Sequence, residues 1–134
     1  MAFRVLLAKG MSAEDVATIV CAIGNHDEGT GVPVDAVSAA LILADKSDVR
    51  RSRVRNRDIS TFDIHDRVNY SVTDYSLTVE RETNEIILRL EIDTAISSIM
   101  DYFEIFLARM LLCRRAAEKL GLKFRLKING QLLI

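Results

Sequence analysis

One stretch of the chain concentrates the side chains that could do chemistry. Residues 23–33 read Ile-Gly-Asn-His-Asp-Glu-Gly-Thr-Gly-Val-Pro, and residues 43–48 read Leu-Ala-Asp-Lys-Ser-Asp. His26 supplies an imidazole, the commonest protein ligand of transition metals, and Asp45 supplies a carboxylate. Together they predict a site for a divalent metal ion. Because two ligands are too few for a tight site, we expect metal binding to be weak or absent.

The spacing of His26 and Asp45 leaves a simpler interpretation open. Asp45 ends an apolar run, where an ionised carboxylate is costly to bury without a compensating cation or donor. His26 follows one predicted helix, and Asp45 lies about three turns into the next. In an antiparallel helix pair the two would meet only if the helices cross or other elements bring them together. On spacing alone we favour a loop histidine followed by solvated acids.

Five arginines follow Asp45 within eight residues: Arg50, Arg51, Arg53, Arg55 and Arg57. One interpretation is a solvated helix end, where cations are favoured by the helix dipole. The other is a phosphate-binding edge, because guanidinium donors match phosphate oxygens in pairs. We favour the first for Arg55 and Arg57 and keep both open for Arg50 and Arg51. Nucleic-acid binding is disfavoured because no stacking aromatic side chains alternate with these arginines.

Three helices are expected to position these residues. A short one covers residues 3–8, and a second begins after Ser12, a typical N-cap, and ends at Gly24 and Asn25. The third begins with Pro33 in its first turn. Its predicted inner face contains Val34, Val37, Ser38, Leu41, Ile42 and Asp45.

The pattern changes after a mixed connector at residues 58–72. Apolar residues then alternate with polar ones, and residues 73–93 predict a β-hairpin. A long helix is expected over residues 94–120, capped by Asp93 or Thr94 and stopped by Gly121. A third strand follows it and ends at a turn formed by Asn129 and Gly130. The order β-β-α-β predicts a small antiparallel sheet with one long helix, so the fold class is α+β. The helix carries more apolar residues than one stripe can hold, and this predicts a homodimer through residues 94–120.

Composition excludes several classes of protein. The 134 residues are 49% hydrophobic and carry a net charge of −1, which disfavours a general nucleic-acid or membrane-surface binder. Cys21 and Cys113 both lie in apolar stretches, as buried thiols in a reducing compartment do. No apolar run reaches the roughly 18 residues of a membrane span. We therefore expect a cytoplasmic protein without a membrane partner.

Two segments resemble the second half of the domain of the HD superfamily of metal-dependent phosphohydrolases. They are residues 25–33 (Asn-His-Asp-Glu-Gly-Thr-Gly-Val-Pro) and 44–48 (Ala-Asp-Lys-Ser-Asp). That family has an all-helical catalytic core, and its metal ligands are an early His, a His-Asp doublet and a late Asp. The resemblance matches Asp45 to the late ligand and His26 to an additional ligand or a group on the substrate side. It implies that Lys46, Arg50 and Arg51 lie near a bound phosphate.

No histidine precedes His26, so the family's first His and its doublet are missing. Residues 1–57 therefore resemble a partial HD-type helical region, and we expect residues 73–134 to form a separate α+β unit that dimerises. The leading hypothesis is a truncated relative of HD phosphohydrolases with an incomplete site for a divalent metal ion and a phosphorylated small molecule as ligand. The alternative is a non-catalytic module that forms homo-oligomers or regulates a partner.

Overall fold

Five α-helices and one four-stranded sheet make up the computed structural model, which describes all 134 residues and confirms the α+β class. The helices are α1 (Ala2–Ala8), α2 (Ala13–Gly24), α3 (Ala36–Lys46), α4 (Ile64–Ser71) and α5 (Ile99–Lys119). The strands are β1 (Val72–Glu80), β2 (Glu85–Ile92), β3 (Lys123–Ile128) and β4 (Gln131–Leu132). Short 3₁₀ turns cover Arg51–Arg53 and Ile59–Thr61. No helix is both long and apolar enough to cross a lipid bilayer.

The sheet is mixed, and the prediction of an antiparallel sheet was wrong for its central pair. The strand order is β1-β2-β3-β4, with β1 and β2 forming the predicted hairpin. Strands β2 and β3 pair in parallel because α5 crosses over the sheet and returns the chain to the end where β2 began. Strand β4 then pairs antiparallel with β3 through the predicted turn at Asn129 and Gly130, which have φ angles of 49° and 77°.

The long helix begins later than predicted. Ser98, not Asp93 or Thr94, is its N-cap, and the Ser98 hydroxyl accepts a hydrogen bond from the Asp101 amide at 3.0 Å. Asp93 instead extends the β-sheet hydrogen bonding, since its amide donates to the Ser71 carbonyl at 2.8 Å. The predicted end of the helix is confirmed, because Gly121 has the positive φ of a helix terminator, 73°.

One hydrophobic core joins the two halves of the chain. Helices α3 and α5 contact each other, and the same core contains Ile42 of α3, Phe106 of α5 and Leu88 of β2, none of them more than 1% exposed. The residues predicted to form a helical region and a separate α+β unit therefore share their packing. The division of the chain into those units stays a prediction.

Helix α3 is rotated relative to its predicted face. It begins at Ala36 after the N-cap Asp35, so Pro33 precedes the helix and is not in its first turn. Five residues of α3 are buried: Ser38, Ala39, Ile42, Leu43 and Lys46. Val34 and Val37, expected to face inward, are 41% and 45% exposed. The side chain buried at the helix end is that of Lys46, 8% exposed, while Asp45 is 40% exposed.

Candidate functional site: an acidic loop around a buried lysine

The loop of residues 25–35 runs beside α3 and brings acids to the end of that helix. Asp27 and Glu28 lie near Lys46, the last residue of α3, whereas Asp35 caps its first turn. The connection therefore spans the length of α3 instead of making a short turn. This answers the spacing problem posed by the sequence, because the loop itself carries residues 26–28 to the Asp45 end of the helix.

Gly31 allows the loop to fold closely against α5. Its amide donates to the Asp27 carbonyl at 2.5 Å, and the neighbouring Val32 amide donates to the Asn25 carbonyl at 3.0 Å. A Cβ atom on Gly31 would lie 2.4 Å from the Asp27 carbonyl oxygen and 3.0 Å from Leu112 of α5. No larger residue fits here without movement of the backbone that carries Asp27.

Three carboxylates surround the ammonium group of Lys46. The Lys46 Nζ atom lies 2.8 Å from Asp45 Oδ2, 3.7 Å from Glu28 Oε1 and 3.8 Å from Asp27 Oδ1. Glu28 also forms an ion pair with Arg109 of α5. We call these five side chains the acidic cluster. Its two cations oppose three carboxylates, so most of its charge is balanced within the chain.

Helix α5 forms the floor of the acidic cluster. The Arg109 guanidinium stacks on the Phe106 ring, 4.6 Å from its centroid, which holds the cation between an aromatic face and Glu28. Cys113 lies one turn further along, fully buried, and burial raises the pKa of its thiol to about 12. The thiol is therefore protonated and inert at neutral pH, as expected from the sequence. Cys21, for which burial was also expected, is exposed.

Asp45 and His26 come close enough to influence each other. The hydrogen bond from Lys46 holds the pKa of Asp45 below its ordinary value, against the opposing effect of burial, and the charges of Lys46 and His26 act in the same direction. His26 Nδ1 lies 2.6 Å from the Ile23 carbonyl oxygen, so this nitrogen carries the proton and donates.

The donors around Asp45 do not fit a divalent metal ion in this arrangement. A cation held by Asp27, Glu28 and Asp45 would occupy the space where the Lys46 ammonium already lies. Two positive charges at such short range in a partly buried site repel strongly. Metal binding would require Lys46 to leave. The assignment of His26 and Asp45 as metal ligands stays a prediction.

A second charged region lies between the first 3₁₀ turn and the start of β1. A cavity of about 310 Å³ is lined by residues 50–52 and 72–75. Arg51 donates its Nε proton to the Tyr70 carbonyl at 2.6 Å and stacks on the Tyr70 ring at 4.4 Å. Arg50 lies 2.7 Å from Asp48, which also accepts a hydrogen bond from Arg53 at 2.9 Å. We call this space the arginine cavity.

The three residues expected near a phosphate are divided between these regions. Lys46 belongs to the acidic cluster, where it is buried and surrounded by carboxylates. Arg50 and Arg51 line the arginine cavity, and Lys46 is not among its lining residues. The rotation of α3 explains the difference, because it turns Lys46 inward, away from the exposed arginines that follow.

Arg109 and the two acids of the loop are the members of the acidic cluster that sequence reasoning missed. The sequence predicts that Asp27 and Glu28 are solvated, and it assigns no role to Arg109. The signal that could have revealed them is the position of Arg109. A cation within the apolar residues 99–112 needs a partner of opposite charge when it is buried. Glu28, 30% exposed on its side chain, is that partner.

Comparisons with protein-family models, with curated proteins and with solved structures each found no match. The resemblance to the HD superfamily therefore rests on the residues of the chain itself.

Proposed function

We propose that this chain is a non-catalytic interaction module that descends from the HD superfamily. In this proposal the acidic cluster is a structural centre that anchors the loop of residues 25–35 to α3 and α5. The carboxylate that the resemblance matches to a metal ligand, Asp45, is neutralised by its own neighbour. Binding of partners would then use other surfaces of the molecule.

One observation carries this proposal: the Lys46 ammonium lies within 4 Å of the carboxylates of Asp27, Glu28 and Asp45. A lysine side chain only 8% exposed is rare unless its charge is paired. Here the pairing also uses the donors that a metal ion would need. The same contacts that stabilise the loop therefore compete with metal binding.

Thermal melting tests the proposal directly. The parent chain, Asp45→Ala and Lys46→Ala would be melted in EDTA and then in Mn²⁺, Ni²⁺ or Mg²⁺. We expect the parent to melt at the same temperature in every condition. Lys46→Ala should melt lower in EDTA but gain stability in Mn²⁺, because the three carboxylates then lack the ammonium group that they share. Asp45→Ala is the matched control that removes a carboxylate.

The second candidate is a metal-dependent phosphohydrolase, which the resemblance favours and for which His26 and Asp45 are the metal ligands. It predicts that the parent itself gains about 2.7 kcal/mol when Mn²⁺ is present at a hundredfold excess over its Kd. It also predicts turnover of p-nitrophenyl phosphate that Asp45→Ala abolishes. Either result from the parent chain would overturn the non-catalytic proposal.

Self-association through α5 belongs to the same proposal. Met100, Leu107 and Leu111 lie on one stripe of the helix and are 74%, 46% and 38% exposed. Sedimentation of the parent should show a dimer that Leu107→Lys dissociates. Val37→Lys, a similar change at an apolar site 45% exposed on α3, is the control. A monomeric parent would exclude this role for α5.

A further inference from the structure

The free edge of β1 combines three features that are not explained by packing within the chain. Strand β1 is the first of the sheet order, so one of its sides has no neighbouring strand. Strand β4 ends the other side but is only two residues long, whereas β1 has nine. A long edge strand presents unpaired amide and carbonyl groups that can bind another extended segment.

The arginine cavity lies at that edge and not on a face of the sheet. Its lining includes the four consecutive residues 72–75, whose side chains alternate between the two faces. Lining by residues that face both sides of the sheet favours a position along the free side of the strand. The register of β1 against β2 also shifts between Val72 and Asp74, the sign of a β-bulge, which ends regular pairing beside the cavity.

The cavity favours an anion. Two arginines, Arg50 and Arg51, line it against one carboxylate, that of Asp74. Asp48 pairs with both Arg50 and Arg53, whereas Arg51 forms no ion pair and is held in place by Tyr70. A guanidinium fixed through its Nε atom keeps its two terminal nitrogens for a carboxylate or phosphate.

An incomplete apolar row continues along the same edge. Leu77 and Val79 share a face of the sheet with Leu88 and Ile86, their partners in β2. The β2 residues are at most 5% exposed, but Val79 is 56% exposed and Leu77 is only half-buried. Leu77 still packs against the core, whereas Val79 is largely exposed, so an added strand would extend the sheet and cover the exposed end of this row.

We propose that the edge of β1 binds the extended C-terminal segment of a partner protein, antiparallel to β1, with its terminal carboxylate in the arginine cavity. The antiparallel direction brings the C-terminal end of the segment to Val72, where Arg51 attracts a carboxylate. The parallel direction would bring an ammonium group there instead. Apolar side chains at alternate positions of the segment would cover Leu77 and Val79. This inference rests on the proposed non-catalytic function, for which it names the partner.

The test uses the full chain in EDTA and a pool of dye-labelled octapeptides in which Val, Ile or Leu alternates with Thr. Each peptide is made with a free C-terminal carboxylate and as the amide, and binding is followed by fluorescence anisotropy. We expect the free acids to bind about tenfold more tightly than the amides, the contribution of one charge-assisted hydrogen bond. Arg51→Gln should remove this preference, and Arg55→Gln, an exposed arginine outside the cavity, should keep it.

A second variant separates the edge from the cavity. Val79 is exposed and is not among the residues that line the arginine cavity, so the Val79→Glu protein should stay folded. The change should weaken acids and amides equally. Equal binding of acids and amides by the parent would overturn the proposal, as would no binding across the pool. Binding of inorganic phosphate in the cavity without binding of any peptide would also overturn the proposal, and it would favour a small phosphorylated ligand. Because the peptide assay contains EDTA, a failure to bind peptides would not change the result of thermal melting with metal ions. The two proposals can therefore fail separately.

Discussion

The acidic cluster and the arginine cavity place cations in opposite environments. In the first, Lys46 is 8% exposed and touches three carboxylates. In the second, Arg51 is exposed, forms no ion pair and stacks on Tyr70. Both stretches look alike in sequence, since each combines basic residues with nearby acids. They differ in whether the chain itself supplies the counter-charge.

This difference separates a structural role from a binding role. A buried charge that is paired within the chain holds the fold together, and removing one partner leaves the other unpaired. An exposed guanidinium with its stem held in place contributes little to folding, and its donors are available for a ligand. The stability that each region contributes, measured by substitution of its residues, tests this contrast.

Lys46→Ala should have the largest effect. It leaves three carboxylates close together without their main cation, so we expect a loss of about 3 kcal/mol in the free energy of unfolding. Urea denaturation in EDTA would measure this loss. Lys9→Ala, at an exposed lysine of the N-terminal region, should change stability by less than about 0.5 kcal/mol. Equal effects of the two changes would contradict the structural role of the cluster.

Gly31→Ala should come next, because it disturbs the loop that carries Asp27 and Glu28. The added Cβ would clash with the Asp27 carbonyl oxygen, which is backbone and cannot simply rotate away. We expect a destabilisation of about 2 kcal/mol. Gly29→Ala is the matched control in the same loop, since nothing lies within 4 Å of its Cβ position. Thermal melting of both variants would distinguish a clash at residue 31 from a general sensitivity of the loop to loss of glycine.

Asp45→Asn should have a smaller effect that depends on pH. The pKa of Asp45 is lower in the folded chain than its ordinary value of 3.8. Its charged form therefore stabilises the fold above pH 3.8, and this contribution is lost as the pH falls through the folded-state pKa. Because Asp45 is 40% exposed, we expect no more than about 1 kcal/mol at pH 6. Urea titrations at pH 6 and pH 3 should show the parent and the variant converging in acid.

Arg51→Lys should have the smallest effect on stability. Lysine keeps the charge but loses the Nε hydrogen bond to Tyr70 and the planar stack on its ring. For an exposed stack we expect about 0.5 kcal/mol in urea denaturation. A loss as large as that of Lys46→Ala would mean that the arginine cavity is a structural centre and would remove the contrast between the two regions.

Much of the fold could be predicted from local signals. The hairpin followed from alternating residues, and the cap at Ser12 and the stops at Gly121 and Gly130 followed from turn and capping chemistry. The parallel pairing of β2 and β3 could not be predicted this way, because it depends on the direction in which α5 returns the chain. The late start of α5 was missed because Asp93 and Ser98 are both good caps and only the sheet contact of Asp93 decides between them.

The candidate site was less predictable than the fold. The sequence drew attention to the right loop and to the end of α3, but it predicted a buried Asp45 where Lys46 is buried. A rotation of one residue in α3 decides which of two adjacent charges faces inward. The packing of α3 against α5 decides that rotation, and the sequence of α3 alone does not contain this information. Arg109 could not be matched to Glu28 because they are far apart in the sequence.

The parallel pair in the centre of the sheet has a consequence for synthesis of the chain. The β1–β2 hairpin can form as soon as residue 92 has emerged, but the other side of β2 waits for β3, some thirty residues later. During that interval the most apolar strand of the protein has an open edge, a typical starting point for aggregation. Rapid formation of α5, whose contacts are local, would shorten this exposure. The yield of soluble protein during expression should therefore be more sensitive to changes in α5 than its equilibrium stability is.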